Sequence, residues 1–162
     1  MYLASTQYSL KHKALELYIS GCKEHPCKSC HNPELFNEQL GEPLTQEKLK
    51  EIKTKITNFN NLIDNIFICG GEPLEKPEPE IIWLLTELKQ TDKQIWLFTR
   101  YELNQISDNV ICLCDYIKTS KYDETLLSDN YFQYGIQLAS TNQKIIKTED
   151  LNNVRNLRNQ MG

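Results

Sequence analysis

Apolar side chains cluster in short runs along the chain, at Leu15 to Ser20, Ile63 to Cys69, Gln94 to Thr99, Val110 to Lys118 and, less sharply, Phe132 to Leu138. These runs are continuous rather than alternating, the pattern of strands buried on both faces in a parallel sheet covered by helices. Between them the period changes to that of a helix. Thr45 is an N-cap with Gln46 and Glu47 in the first turn, and Leu49, Ile52, Ile56 and Phe59 follow at helical spacing, which predicts a helix ending near Asn60-Asn61. Pro77 and Pro79 open a second helix whose stripe is Ile81, Leu84, Leu85 and Leu88. A third, short helix is expected from Tyr101 to about Ile106, and the segment from Lys147 to Gly162, rich in Asn, Gln and charge, is expected to be a C-terminal tail or docked helix.

Alternating strands and helices predict an α/β fold with parallel strands whose C-terminal ends share one rim. A complete eight-stranded barrel takes about 250 residues. The 162 residues of this chain therefore predict a single domain over 1–162, an incomplete, TIM-like barrel with helices outside. A composition of 40% hydrophobic and 25% charged residues excludes disorder. The formal net charge of -4, without a clustered basic face, argues against nucleic acid as a partner. No apolar run approaches the roughly 20 residues of a membrane span, and Met1 to Gln7 does not read as an export leader, so the cytoplasm is the expected compartment.

Six cysteines in a reducing compartment need a role other than disulfide formation. Cys22, Cys27 and Cys30 lie within nine residues directly after the first strand run and read as metal ligands, whereas Cys69, Cys112 and Cys114 lie in apolar runs and read as core residues, the last two on one strand face. Three thiolates on one loop suit zinc, with His31 closing a Cys3His site, or an iron-sulfur cluster. Cys27-Lys28-Ser29-Cys30-His31 also matches a haem attachment pattern that belongs to exported proteins. A second motif, Cys69-Gly70-Gly71-Glu72-Pro73-Leu74, follows the second run and should emerge on the same rim. Its glycines allow close backbone approach to a ligand, and Glu72 offers a carboxylate to an ammonium group. Three cysteines can hold three irons of a four-iron cluster, leaving the fourth iron to bind a small ligand with amino and carboxylate groups.

With these motifs the chain resembles the radical S-adenosylmethionine (SAM) superfamily, and within it the glycyl-radical activating enzymes of anaerobic ribonucleoside-triphosphate reductases. The resemblance rests on Gly21-Cys22 through Cys30-His31-Asn32-Pro33-Glu34, on Gly70 to Leu74, on Ile95 to Thr99 with Tyr101, on Cys114-Asp115-Tyr116 and Lys121-Tyr122-Asp123, and on Ser140 to Lys144. The chain departs from the superfamily pattern in having four residues between Cys22 and Cys27, Ser29 beside the last ligand, and Thr119-Ser120 where the family carries Asp-Gly. The resemblance implies a [4Fe-4S] cluster on Cys22, Cys27 and Cys30, and SAM held by Gly70, Gly71, Glu72 and Pro73, with Asn142 nearby. It implies reductive cleavage of SAM, transfer of the resulting radical to a glycine in the large subunit of an anaerobic ribonucleotide reductase, and a reduced flavodoxin- or ferredoxin-like electron donor. Two other readings remain open: a radical SAM enzyme modifying another protein or peptide, and a non-catalytic zinc module.

Overall fold

A computed structural model describes residues 1–23 and 27–151. Four strands, β2 (Ala14–Ile19), β4 (Asn65–Gly70), β5 (Gln94–Phe98) and β6 (Tyr116–Thr119), form the parallel centre of a seven-stranded sheet. β1 (Tyr2–Ser9), β3 (Glu42–Pro43) and β9 (Lys144–Lys147) complete it in the order β3-β1-β2-β4-β5-β6-β9. Helix α1 (Gln46–Asn58) leads into β4, and α2 (Glu78–Lys89) joins β4 to β5. The continuous apolar runs do bury both faces. In β4, Ile66 and Ile68 join the main core with Ile81, Leu84, Leu85 and Leu88 of α2, while Phe67 between them enters a second cluster with Trp96, Ile136, Leu138 and Ile145.

Where an incomplete, TIM-like barrel of parallel strands is expected, the structure shows a mixed α/β sheet with a parallel centre and antiparallel strands at its edges. β1 pairs antiparallel with β2 because the four residues joining them are too few for a parallel crossover, and β9 pairs antiparallel with β6 at the other edge. β1 escapes the hydrophobic pattern because Thr6, Gln7 and Ser9 are polar and only Leu3 is buried, the strand being held by pairing on both sides. The run from Val110 to Lys118 is two elements. Val110 and Ile111 close the short helix α3 (Asp108–Ile111), and only Tyr116–Thr119 is strand. The expected helix from Tyr101 to Ile106 contracts to a 3-10 turn over Leu103–Gln105. The run from Phe132 to Leu138 folds back on itself as β7 (Phe132–Gln133) and β8 (Ile136–Gln137), because Tyr134 and Gly135 both take positive φ and make a two-residue hairpin turn.

Thr45 caps α1 as its sequence predicts, accepting a hydrogen bond from the Lys48 N–H at 3.2 Å. Leu49, Ile52 and Ile56 are buried, while Phe59 lies past the end of the helix and is 54% exposed. Thr45→Ala is expected to cost about 1 kcal/mol and Thr45→Ser a fraction of that, read as the difference in denaturation midpoint. The chain is helical again at 148–151, where Leu151 packs on the main core; residues 152–162 of the expected tail lie outside the described residues. Among the described residues, no helix is long and apolar enough to cross a membrane.

Candidate functional site

The loops leaving β2, β4, β5 and β6 meet at the C-terminal edge of the parallel strands and enclose a cavity of about 310 Å³, at the lower end of the roughly 300–1,000 Å³ usual for small-molecule sites. Cys22, Cys27 and Cys30 all line it, as do Ser29, His31 and Asn32. Cys22 is buried and the other two are half-buried. Two neighbouring contacts fix the loop. The Gly21 N–H donates to the Leu35 carbonyl at 2.7 Å, just before Cys22, and the Lys28 ammonium pairs with Glu124 between Cys27 and Cys30. Glu24, His25 and Pro26 lie outside the described residues.

Gly70, Gly71 and Glu72 line the same cavity from the end of β4. Their segment is zipped to the cysteine loop, with the Gly71 N–H on the Ile19 carbonyl at 2.8 Å and the Glu72 N–H on the Gly21 carbonyl at 2.7 Å. This contact is why glycine is needed. A Cβ at Gly71 would overlap the Gly21 carbonyl oxygen, and one at Gly70, where φ is +120°, would overlap backbone atoms of Ile19. The close approach read from the sequence as room for a ligand is first an approach of two backbones. Pro73 is buried and opens a 3-10 turn over Pro73–Glu75; it shapes the loop but does not line the cavity.

Glu72 is 1% exposed. Its Oε1 accepts from the Thr99 hydroxyl at 2.6 Å and the Leu74 N–H at 3.0 Å, and its Oε2 accepts from the Arg100 N–H at 2.8 Å with Arg100 Nε at 3.8 Å. Burial pushes its carboxyl above the usual range, and these donors and the guanidinium oppose that shift. Oε1 has spent both lone pairs, so Oε2 is the atom with capacity left for a ligand. Burial likewise raises the Cys22 thiol, Glu75 and Glu72 add to the shift, and Arg100 counters it.

Arg100 and Lys118 line the cavity, as do Thr99, Phe98, Tyr122 and Gln143. Sequence reasoning gave Arg100 and Lys118 no role, while Phe98, Thr99, Tyr122 and Gln143 fall in segments on which the resemblance rests. The available signal was position, since Thr99 and Arg100 are the first residues past the apolar run of β5. Asn142 lines an adjacent depression with Lys121 and Tyr122 and donates to the Lys121 carbonyl at 2.8 Å. Its neighbour Gln143 is the one in the cavity, its Oε1 accepting from the Ala139 and Ser140 N–H groups.

The other cysteines divide differently from expectation. Cys114 is buried and its thiol is pushed up to about 12 by desolvation. Cys112 is exposed at the end of α3, not core, because that run is helix and turn rather than strand. Cys69 lines the cavity, with its thiol raised by burial. Trp83 and Trp96 are packing residues, the Trp96 ring stacked on Tyr116 with centroids 3.9 Å apart.

Among the described residues, no three His, Cys, Asp or Glu side chains converge on one point as ligands of a single ion. Three cysteines facing one cavity fit a multi-iron body, which takes one thiolate per iron.

The same segments carry likeness to known proteins. The 4Fe-4S single cluster domain family matches residues 13–146, from the start of β2 to the last strand of the sheet. Proteins named anaerobic ribonucleoside-triphosphate reductase-activating protein match as well. That of Enterobacteria phage T4 is 27% identical over 138 residues, 83% of each chain. Those of Vibrio cholerae serotype O1 and Haemophilus influenzae are 30% and 27% identical over 104 residues, 62% of this chain and 66% of their own length. With the family match running through the cysteine loop and every strand whose end borders the cavity, the chain belongs to the 4Fe-4S single cluster domain family.

Proposed function

We propose that this chain is a radical SAM activating enzyme that installs a glycyl radical on the large subunit of an anaerobic ribonucleotide reductase. The observation that carries the reading is the meeting of Cys22, Cys27 and Cys30 with Gly70, Gly71 and Glu72 around one cavity. The names of the relatives support the reductase as partner. Cys22, Cys27 and Cys30 would hold a [4Fe-4S] cluster, which when bound supplies one electron, drawn from a flavodoxin- or ferredoxin-like donor, to cleave the SAM sulfonium into methionine and a 5′-deoxyadenosyl radical. Glu72, kept in place by Thr99, Leu74 and Arg100, presents Oε2 to the SAM ammonium. Phe98 and the backbone of Gly70 and Gly71 line the same cavity. We read the parallel strands as the sector of a barrel left open so that a glycine loop of another protein reaches the radical.

Anaerobic reconstitution is expected to give about four irons per chain. Mixing with the reductase subunit, SAM and a reductant should give a glycyl doublet by electron paramagnetic resonance. One zinc per chain without SAM turnover would sink the reading in favour of a zinc module. SAM cleavage with no doublet on the reductase would redirect it to another protein or peptide.

A further inference from the structure

Lys118 stands near the C-terminal end of β6, half-buried, in the wall of the cysteine cavity. Its Nζ donates to the Ser120 carbonyl at 2.9 Å and the Thr99 carbonyl at 3.5 Å, both neutral acceptors. It makes no ion pair with any described carboxylate, although Glu72, Glu102 and Cys27 act on it through space. An ammonium has three donors, and these contacts use two. A half-buried cation that meets only neutral acceptors keeps a charge that an arriving anion would compensate. The other cation in the wall, Arg100, is already committed, its guanidinium paired with Glu75 and close to Glu72. The cavity therefore offers one carboxylate, Glu72, and one ammonium with a donor to spare and no ion pair among the described residues, Lys118. That is the complement of a free amino-acid end, which carries one ammonium and one carboxylate.

We propose that Lys118 anchors the α-carboxylate of the ligand whose α-ammonium is taken by Glu72; this rests on the SAM reading above. The position owes nothing to the cysteine or glycine motifs. It directly precedes Thr119-Ser120, which stand where the family carries Asp-Gly.

The test measures dissociation constants anaerobically, with the cluster intact and oxidised so that nothing turns over, for SAM and for decarboxylated SAM, which lacks only that carboxylate. Wild-type protein should prefer SAM. Lys118→Met should weaken SAM by about 10- to 100-fold, the size of a charge-assisted hydrogen bond, and leave decarboxylated SAM nearly unchanged, so that most of the preference disappears. Lys118→Arg should restore part of it. A merely structural lysine would shift both ligands equally, and that result overturns the proposal. If Lys118→Met fails to load its cluster, Lys118→Gln takes its place, and a cluster-loaded variant that keeps the full wild-type preference for SAM overturns the proposal. Wild-type protein that carries its cluster and binds neither ligand overturns the SAM reading itself, and the assignment of Lys118 with it.

Discussion

Cys27→Ala is expected to abolish both the cluster and SAM cleavage, with iron falling from about four per chain to the level of unreconstituted protein. The magnitude follows from coordination. Each thiolate of a three-cysteine site holds its own iron, so removing one leaves a corner of the cluster without a protein ligand. Packing contributes little to this loss. Cys27 is half-buried on a loop, outside both hydrophobic clusters, so the fold itself should survive. Two other cysteines give the controls. Cys69→Ala lies in the wall of the same cavity, and Cys112→Ala is exposed on a helix end; both are expected to load about four irons. Iron and sulfide analysis of the three variants, with circular dichroism to verify folding, tests the assignment. A Cys27→Ala protein with full iron would remove Cys27 from the ligand set, and loss of iron in Cys69→Ala would bring Cys69 in.

What was legible in the sequence was whatever burial on two faces imprints on composition. Ile66-Phe67-Ile68 and Ile95-Trp96-Leu97 read as strands because neighbouring residues point into different clusters and both clusters are dry. Thr45 and the α2 stripe were legible for the same local reasons. β1 was not, because its stability comes from pairing with β2 and β3, a long-range property that leaves no apolar run. The run from Val110 to Lys118 misled because a buried helix end and a buried strand have the same composition. Turn chemistry decided between them at Leu113 to Asp115, just as Tyr134-Gly135 split the later run. In the site, Cys22, Cys27, Cys30 and Glu72 announced themselves by spacing and motif. Arg100 and Lys118 did not, since a lysine at the end of an apolar run looks like a solvated strand terminus until the cavity wall is built around it.

Gly70→Ala is expected to cost about 3–5 kcal/mol, among the largest effects of a single substitution, and to impair cluster loading with it. Gly70 has φ at +120°, a conformation that costs a residue with a Cβ about 1–3 kcal/mol by itself. The Cβ would in addition overlap the carbonyl oxygen and nitrogen of Ile19, atoms of a strand paired on both sides that has no room to yield. Relief requires the end of β4 to move away from β2. The hydrogen bonds from Gly71 to Ile19 and from Glu72 to Gly21 would then break, and the cysteine loop would separate from the glutamate loop. Gly135→Ala separates the two contributions. Gly135 also has positive φ, +78°, but a Cβ there meets nothing within 4 Å, so its cost should be confined to the backbone, about 1–2 kcal/mol. Chemical denaturation of both variants gives the difference, and iron content reports the site. Equal costs would mean that the β2 and β4 ends part without strain. Both motifs would then keep their residues while the frame joining them lost its rigidity, and glycine at 70 would have to be explained by the ligand rather than by the meeting of two backbones.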